Sequence, residues 1–161
     1  MEAGREQVSE ALSPRGSVHH VDLSVRDPYS SLPFYEAVLG YIGYRRVKPN
    51  SDDRTPAPLP VPGDTTYEFN IPTPVGGYHV SIGLVRARAD TPAHNRFNTG
   101  LHHLAFRAES REDVDALYAL LQRIGANILD PPAKYPQYSE GYYAVFFADP
   151  DGLKLEFVFK P

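Results

Sequence analysis

A chain of 161 residues, 42% of them hydrophobic, is long enough for one compact domain or two very small modules and apolar enough to form a core. It has no cysteine, which excludes disulfides and thiolate metal ligands, and no apolar run approaches the ~18–20 residues that span a bilayer. The net charge of -4, without a Lys/Arg cluster, argues against a nucleic-acid partner. The N-terminal stretch lacks the apolar segment of a secretory leader, so a cytoplasmic location, a small-molecule partner and no membrane association are expected.

In chain order, residues 1–16 read as a disordered lead-in. VHHVDLSV at 18–25 alternates as a strand does. His19, Val21, Leu23 and Val25 share one face, and His20, Asp22 and Ser24 share the other. A helix is expected after Asp27, with Asp27 as its cap, Pro28 in its first turn and Leu32, Tyr35, Val38 and Leu39 on its apolar face, ending at Gly40. Pro33 inside it departs from good helix chemistry. The Pro-rich, charged segment 48–64 reads as a surface loop, and strands follow at 67–71 and 78–86. DTPAHNRFNTG at 90–100 is an irregular linker. LHHLAFRA at 101–108 is a second strand, and a second helix starts at Ser110, with Asp113 placed for a near-capping box. Its apolar face is Val114, Leu117, Leu121 and Ile124, and Gly125 stops it. The stretch 131–141, carrying Tyr135 and Tyr138, reads as a loop able to close over a site. Strands at 142–148 and 153–159 flank the turn Asp149–Gly152.

The two halves repeat. A shift of 83 residues lays VHHVDLSV on LHHLAFRA, His20 on His103, Phe34 on Leu117 and Val38 on Leu121, a repeat long enough to organise the chain. The expected fold is therefore α+β: two tandem βαβββ modules, 17–89 and 101–161, forming an open, curved mixed sheet with the helices on its outer face. Alternation in the last strand puts Leu155, Phe157 and Phe159 on one face and Lys154, Glu156 and Val158 on the other. One polar face thus carries His20, His103 and Glu156 on three different strands. Two imidazoles and a carboxylate on rigid strands make a facial set for one divalent ion, with positions left for water and substrate.

HHVDLSVRDPYSSLPFYEAVLG, GLHHLAFRAES and YYAVFFADPDGLKLEFVF together resemble the openings and the closing hairpin of the vicinal oxygen chelate superfamily, which includes glyoxalases, extradiol dioxygenases and bleomycin-resistance proteins. The resemblance covers residues 18 to about 160. It implies paired βαβββ modules and a metal ion, Fe2+ or Mn2+ favoured and Zn2+ or Ni2+ also accommodated, held at His20, His103 and Glu156. The family's fourth metal position falls on Gly83, which offers no ligand. The resemblance further implies an enzyme acting on vicinal oxygens, dioxygenase-like or lyase/isomerase-like, and a homodimer. The alternative is a drug-sequestering protein without turnover. Phe146 replaces the Tyr of extradiol dioxygenases, and YPQYSEGYYA holds no His. Facing suggests the remaining site residues: His79 and Arg107 for catalysis, and Ser81, Tyr138, Tyr142 and Phe146 for substrate binding. Asp22 and Ser24 stand beside His20 as supports for that ligand.

Overall fold

The alternation in VHHVDLSV becomes β1 (His20–Val25), with Leu23 and Val25 buried and His20, Asp22 and Ser24 exposed. This is a computed structural model that describes residues 16–49, 57–73, 79–88 and 91–161. Residues 1–15 of the expected lead-in, part of the 48–64 loop, Tyr78 and the start of the 90–100 linker lie outside the described residues. α1 (Pro28–Ile42) begins at Asp27 as expected. The Asp27 carboxylate does not cap the helix backbone. It accepts from Ser30 Oγ at 2.5 Å and pairs with Arg86 at 3.0 Å. The helix runs through Gly40 and ends at Gly43, whose φ of 112° lets its N–H turn back to Leu39 O and Gly40 O. A glycine inside a helix is tolerated at a modest cost, whereas the left-handed stop needs one. β2 (Arg45–Val47), β3 (Thr66–Pro72) and β4 (His79–Arg86) complete the first module, in the order β1-β4-β3-β2. Three residues are too few for alternation to reveal β2.

The second module repeats this plan with β5 (Leu104–Arg107), α2 (Arg111–Arg123), β6 (Asn127–Lys134), β7 (Tyr143–Ala148) and β8 (Lys154–Phe159), in the order β5-β8-β7-β6. The first strand of each module runs parallel to the last, and all other pairings are antiparallel. Ser110 caps α2 by accepting the Asp113 N–H at 3.1 Å, while the Asp113 carboxylate accepts the Glu109 N–H at 3.0 Å. β6 was not apparent from the sequence, and it takes in residues 131–134 of the stretch read as a loop. Pro131 and Pro132 fit there because β6 is a terminal strand whose register slips twice, between Ile128 and Asp130 and between Asp130 and Ala133. The fold is thus α+β, two βαβββ modules with open mixed sheets, and no helix among the described residues is long and apolar enough to cross a membrane.

Each helix covers the sheet face opposite the one bearing the predicted metal donors, and the covered faces of both modules share one core. It combines Leu23, Val25, Phe69 and Leu84 with Phe106, Phe147, Leu155 and Phe157, with α1 and α2 contributing Leu39, Val38, Leu117 and Leu121. Burying each such side chain contributes roughly 1.5–3 kcal/mol. α1 reaches the second sheet directly: Phe34 meets Phe147 at 6.3 Å and Tyr41 meets Phe157 at 6.2 Å between ring centres. Polar contacts clip the modules together. Tyr35 donates to Asp149 Oδ2 at 2.6 Å, Arg26 donates through its N–H (2.8 Å) and guanidinium to Asp151, and Tyr41 donates to Asp113 at 2.6 Å. Asp149 also accepts the N–H groups of Asp151 and Leu153. Burial holds its carboxyl above the ordinary carboxylate value, against the pull of these hydrogen bonds.

Candidate metal centre

Alternation along β8 sends Leu155 and Phe157 into the core and Glu156 to the opposite face, where it is nevertheless only 2% exposed. A carboxylate so far from water needs compensating partners. It has two: His103 Nε2 lies 3.1 Å from Oε2, and Tyr142 donates its phenol to Oε1 at 2.5 Å. Burial, followed by this hydrogen bond, pushes the Tyr142 phenol well above the ordinary tyrosine range, so it keeps its proton and remains a donor. The other His103 ring nitrogen, Nδ1, faces Nδ1 of His102 at 2.8 Å. Burial and the charges of His103, Lys154 and Arg96 hold His102 below the usual imidazole value.

These groups line a depression of about 340 Å³ with Tyr138, Phe146 and Lys154. Phe146 is the register partner of Glu156 on β7, which places its ring beside the carboxylate. Tyr135 stacks on Tyr138 at 5.8 Å and stands edge-on to Phe146 at 5.2 Å, giving an aromatic wall. Lys154, two residues before Glu156 on the same strand face, sets its ammonium 3.9 Å from the centre of the Phe146 ring. Burial, then Arg96, holds it below the ordinary lysine value. Lys154 is a site residue that reading the sequence for ligands passed over. Its signal was the shared face with Glu156.

His20 sits in a second depression, of about 360 Å³, with Asp22, Glu68, His79, Ser81 and Gly83. Parallel pairing of β1 with β4 sets His20 against Ser81 and Asp22 against Gly83. His20 Nδ1 faces His19 Nδ1 at 3.0 Å. Ser81 is buried, and Asn70, with its amide turned to satisfy its neighbours, donates to Ser81 Oγ at 2.8 Å. His79 opens β4 at the rim, where its ring lies 6.2 Å from that of His19.

The structure therefore brings together His103, Glu156, Tyr138, Tyr142 and Phe146 on one module, and His20, His79 and Ser81 on the other. No residue lines both depressions, and among the described residues no three His, Asp or Glu side chains gather around one point. Each polar face lies on the side of its sheet away from the shared core. Arg107 is exposed at the end of β5, opposite Val158, and lines neither depression. Four residues of extended chain carry it roughly 13 Å beyond His103. A larger cleft of about 580 Å³ lies beside the inter-module clip, around Arg26, Phe34, Asp149 and Asp151, and holds none of the predicted donors.

The donor set on the second module fits a divalent cation. Two ligands each ~2.1 Å from one ion and at nearly right angles stand roughly 3.0–3.2 Å apart, which is the separation of His103 Nε2 and Glu156 Oε2. Tyr142 would hold the carboxylate in orientation from outside the ligand set.

The Glyoxalase/Bleomycin resistance protein/Dioxygenase superfamily model matches residues 17–157. The uncharacterized protein YqjT of Bacillus subtilis is 28% identical over 141 residues, which cover 88% of this chain and 97% of YqjT. Among solved structures, a Bacillus halodurans protein is 30% identical with a TM-score of 0.64, over 91% of this chain and 97% of its own. A glyoxalase/dioxygenase from Nostoc punctiforme shares the fold at 24% identity and a TM-score of 0.62, over 96% and 99% of the two chains. With both histidine-bearing openings and Glu156 inside the matched span, the chain belongs to the Glyoxalase/Bleomycin resistance protein/Dioxygenase superfamily.

Proposed function

We propose that this chain binds one divalent metal ion through His20, His103 and Glu156, and that it acts as a homodimer on a small molecule with vicinal oxygens. The observation that carries the reading is the Glu156 carboxylate, 2% exposed and 3.1 Å from the His103 imidazole nitrogen. That pair is two thirds of the donor set at the spacing of neighbouring ligands. The remaining donor, His20, occupies the repeat-equivalent position on the other module and lines a separate depression. A second copy related by a two-fold axis can lay its first module over the second module of its mate. His20 of one copy then joins His103 and Glu156 of the other. Isologous pairing of this kind is the commonest closed assembly.

Fe2+ or Mn2+ suits two imidazoles and a carboxylate, and Zn2+ or Ni2+ is also accommodated. Such an ion, when bound, draws electron density from two neighbouring oxygens of a substrate, the basis of dioxygenase-like or lyase/isomerase-like chemistry. The chain's own groups then have distinct tasks. Tyr142 holds Glu156 through its hydrogen bond. Phe146 and Tyr138 offer ring faces to a flat or apolar substrate, and Lys154 meets an anionic oxygen. From the facing module, Ser81 binds substrate and His79 moves a proton at the rim. Arg107 serves a substrate group that reaches beyond the depression.

Subunit complementation tests the reading. Metal content is measured on purified wild type, His20→Ala, His103→Ala, and a mixed dimer of the two variants isolated with different tags. Wild type is expected to hold one ion per chain and each variant none. The mixed dimer regains one intact site, because one of its two sites takes His20 and His103 from unmutated positions. A mixed dimer that stays metal-free rejects the shared site. Wild type that takes up no Fe2+, Mn2+, Zn2+ or Ni2+ rejects the metal and favours ligand sequestration without turnover.

A further inference from the structure

We propose that Asp22 supplies a fourth metal-binding group, its carboxylate reaching across to the place that a side chain at position 83 would fill. The assignment builds on the metal ion of the preceding section and extends its donor set from three residues to four.

The two modules carry the same register pair with its members exchanged. In the second module, Ala105 on β5 pairs with Glu156 on β8. In the first, Asp22 on β1 pairs with Gly83 on β4. Each pair holds one carboxylate and one minimal side chain, and each lies two residues beyond a predicted histidine ligand that opens or immediately precedes the first strand of its module. The carboxylate has moved from the last strand to the first while the local position is kept. A Cβ built on Gly83 would fall 2.1 Å from Asp22 Oδ1 and 3.2 Å from its Cγ, so the carboxylate occupies the volume of the missing side chain.

Nothing else calls for glycine at this position. Gly83 lies in a regular strand, and its φ is outside the left-handed region that favours glycine. The nearest atoms to its virtual Cβ all belong to Asp22. Glu68, which pairs with Gly83 from the other side, is not among them, and its Oε1 accepts from the Asn70 amide at 3.2 Å. The Asp22 carboxylate accepts no hydrogen bond from a described residue and opens into the depression that holds His20. It is therefore an exposed anionic donor that lines the same depression as the His20 imidazole, two residues along the same strand face.

Gly83→Ala is the decisive variant, because it removes no donor. Alanine suits a strand backbone, and the atom it displaces is the end of a flexible side chain, so the fold is kept while the carboxylate is pushed aside. Mn2+ affinity is measured on the full-length protein by electron paramagnetic resonance of the free ion, with thermal melting of each metal-free variant as the check on folding. Gly83→Ala and Asp22→Asn are each expected to weaken Mn2+ binding about tenfold or more. The double variant Asp22→Ala/Gly83→Glu, which returns the carboxylate to β4, is expected to recover most of that loss, and Glu68→Gln to bind as wild type does. Wild-type affinity in both Gly83→Ala and Asp22→Asn overturns the assignment and leaves the three-ligand reading standing, as does a loss that follows Glu68 in their place. Wild type that binds no Mn2+, Fe2+, Zn2+ or Ni2+ overturns both.

Discussion

Replacing Tyr35 with phenylalanine removes one oxygen from the clip that joins the two modules. The Tyr35 ring is 1% exposed, and its hydroxyl donates to the buried Asp149 carboxylate at 2.6 Å. A hydrogen bond to a charged group contributes roughly 1.5–3 kcal/mol. For a chain of this size each kcal/mol moves the melting temperature about 2–4 °C, so Tyr35→Phe should melt roughly 3–12 °C lower near pH 7. The loss should depend on pH with a definite sign. Burial holds Asp149 above its ordinary value of 3.8 in the folded state. The stability linked to its proton is therefore complete below that value and declines as pH rises through the higher folded-state value. Tyr35 favours the ionised form, so its removal lifts Asp149 further and carries the decline to higher pH. The gap between wild type and variant should thus widen as Asp149 ionises, shrinking to about 1 kcal/mol where the carboxyl is protonated. Thermal melts followed by circular dichroism from pH 3.5 to 8 measure this. A gap that does not change with pH, or one below about 1 °C, refutes the reasoning.

Tyr142→Phe should leave the fold intact and weaken Mn2+ binding about tenfold by freeing Glu156 Oε1, read by the same free-ion titration. The phenol is raised above its ordinary 10.0, so the stability it brings is complete below pH 10 and falls only as pH climbs through the folded-state value. Ser110→Ala removes the α2 cap seen at 3.1 Å and should destabilise by ~1 kcal/mol in urea melts, with no change in metal affinity. Phe147→Ala, at a fully buried site of the common core, should cost about 3–5 kcal/mol. Because both modules share that core, the unfolding curve should keep a single transition.

Much of the architecture could be read from the residues. The 83-residue repeat identified the two modules because duplicated modules bury equivalent faces. Alternation in β1 and β8 assigned His20 and Glu156 to the polar faces because strand side chains have a strict period of two. Ser110 was legible as a cap because its role is local. β2 and β6 were not apparent, the first because it has three residues and the second because prolines and register slips erase the pattern. The expected end of α1 at Gly40 fell short because a helix interior can absorb a glycine when packing of Tyr35, Val38 and Leu39 holds it. Pairing of His103 with Glu156 followed from the pattern, but the placing of His20 in a separate depression did not. That depends on Phe34 and Tyr41 docking onto the second sheet, a long-range contact with no periodic signature. Gly83 read as a missing ligand because one strand's sequence does not show what lies across the ladder.

The prolines of β6 bear on how copies of this chain can meet. Each four-stranded sheet has two rims. One rim of the first sheet is the three-residue β2 with its two arginines, and one rim of the second is β6, broken by Pro131, Pro132 and slipped register. Short length, positive charge and missing N–H groups all discourage another backbone from adding there. The other two rims are β1 and β5, regular strands that begin at or just beyond the paired histidines. Strand addition is thus discouraged at β2 and β6, which leaves β1 and β5 as the rims where another backbone could pair.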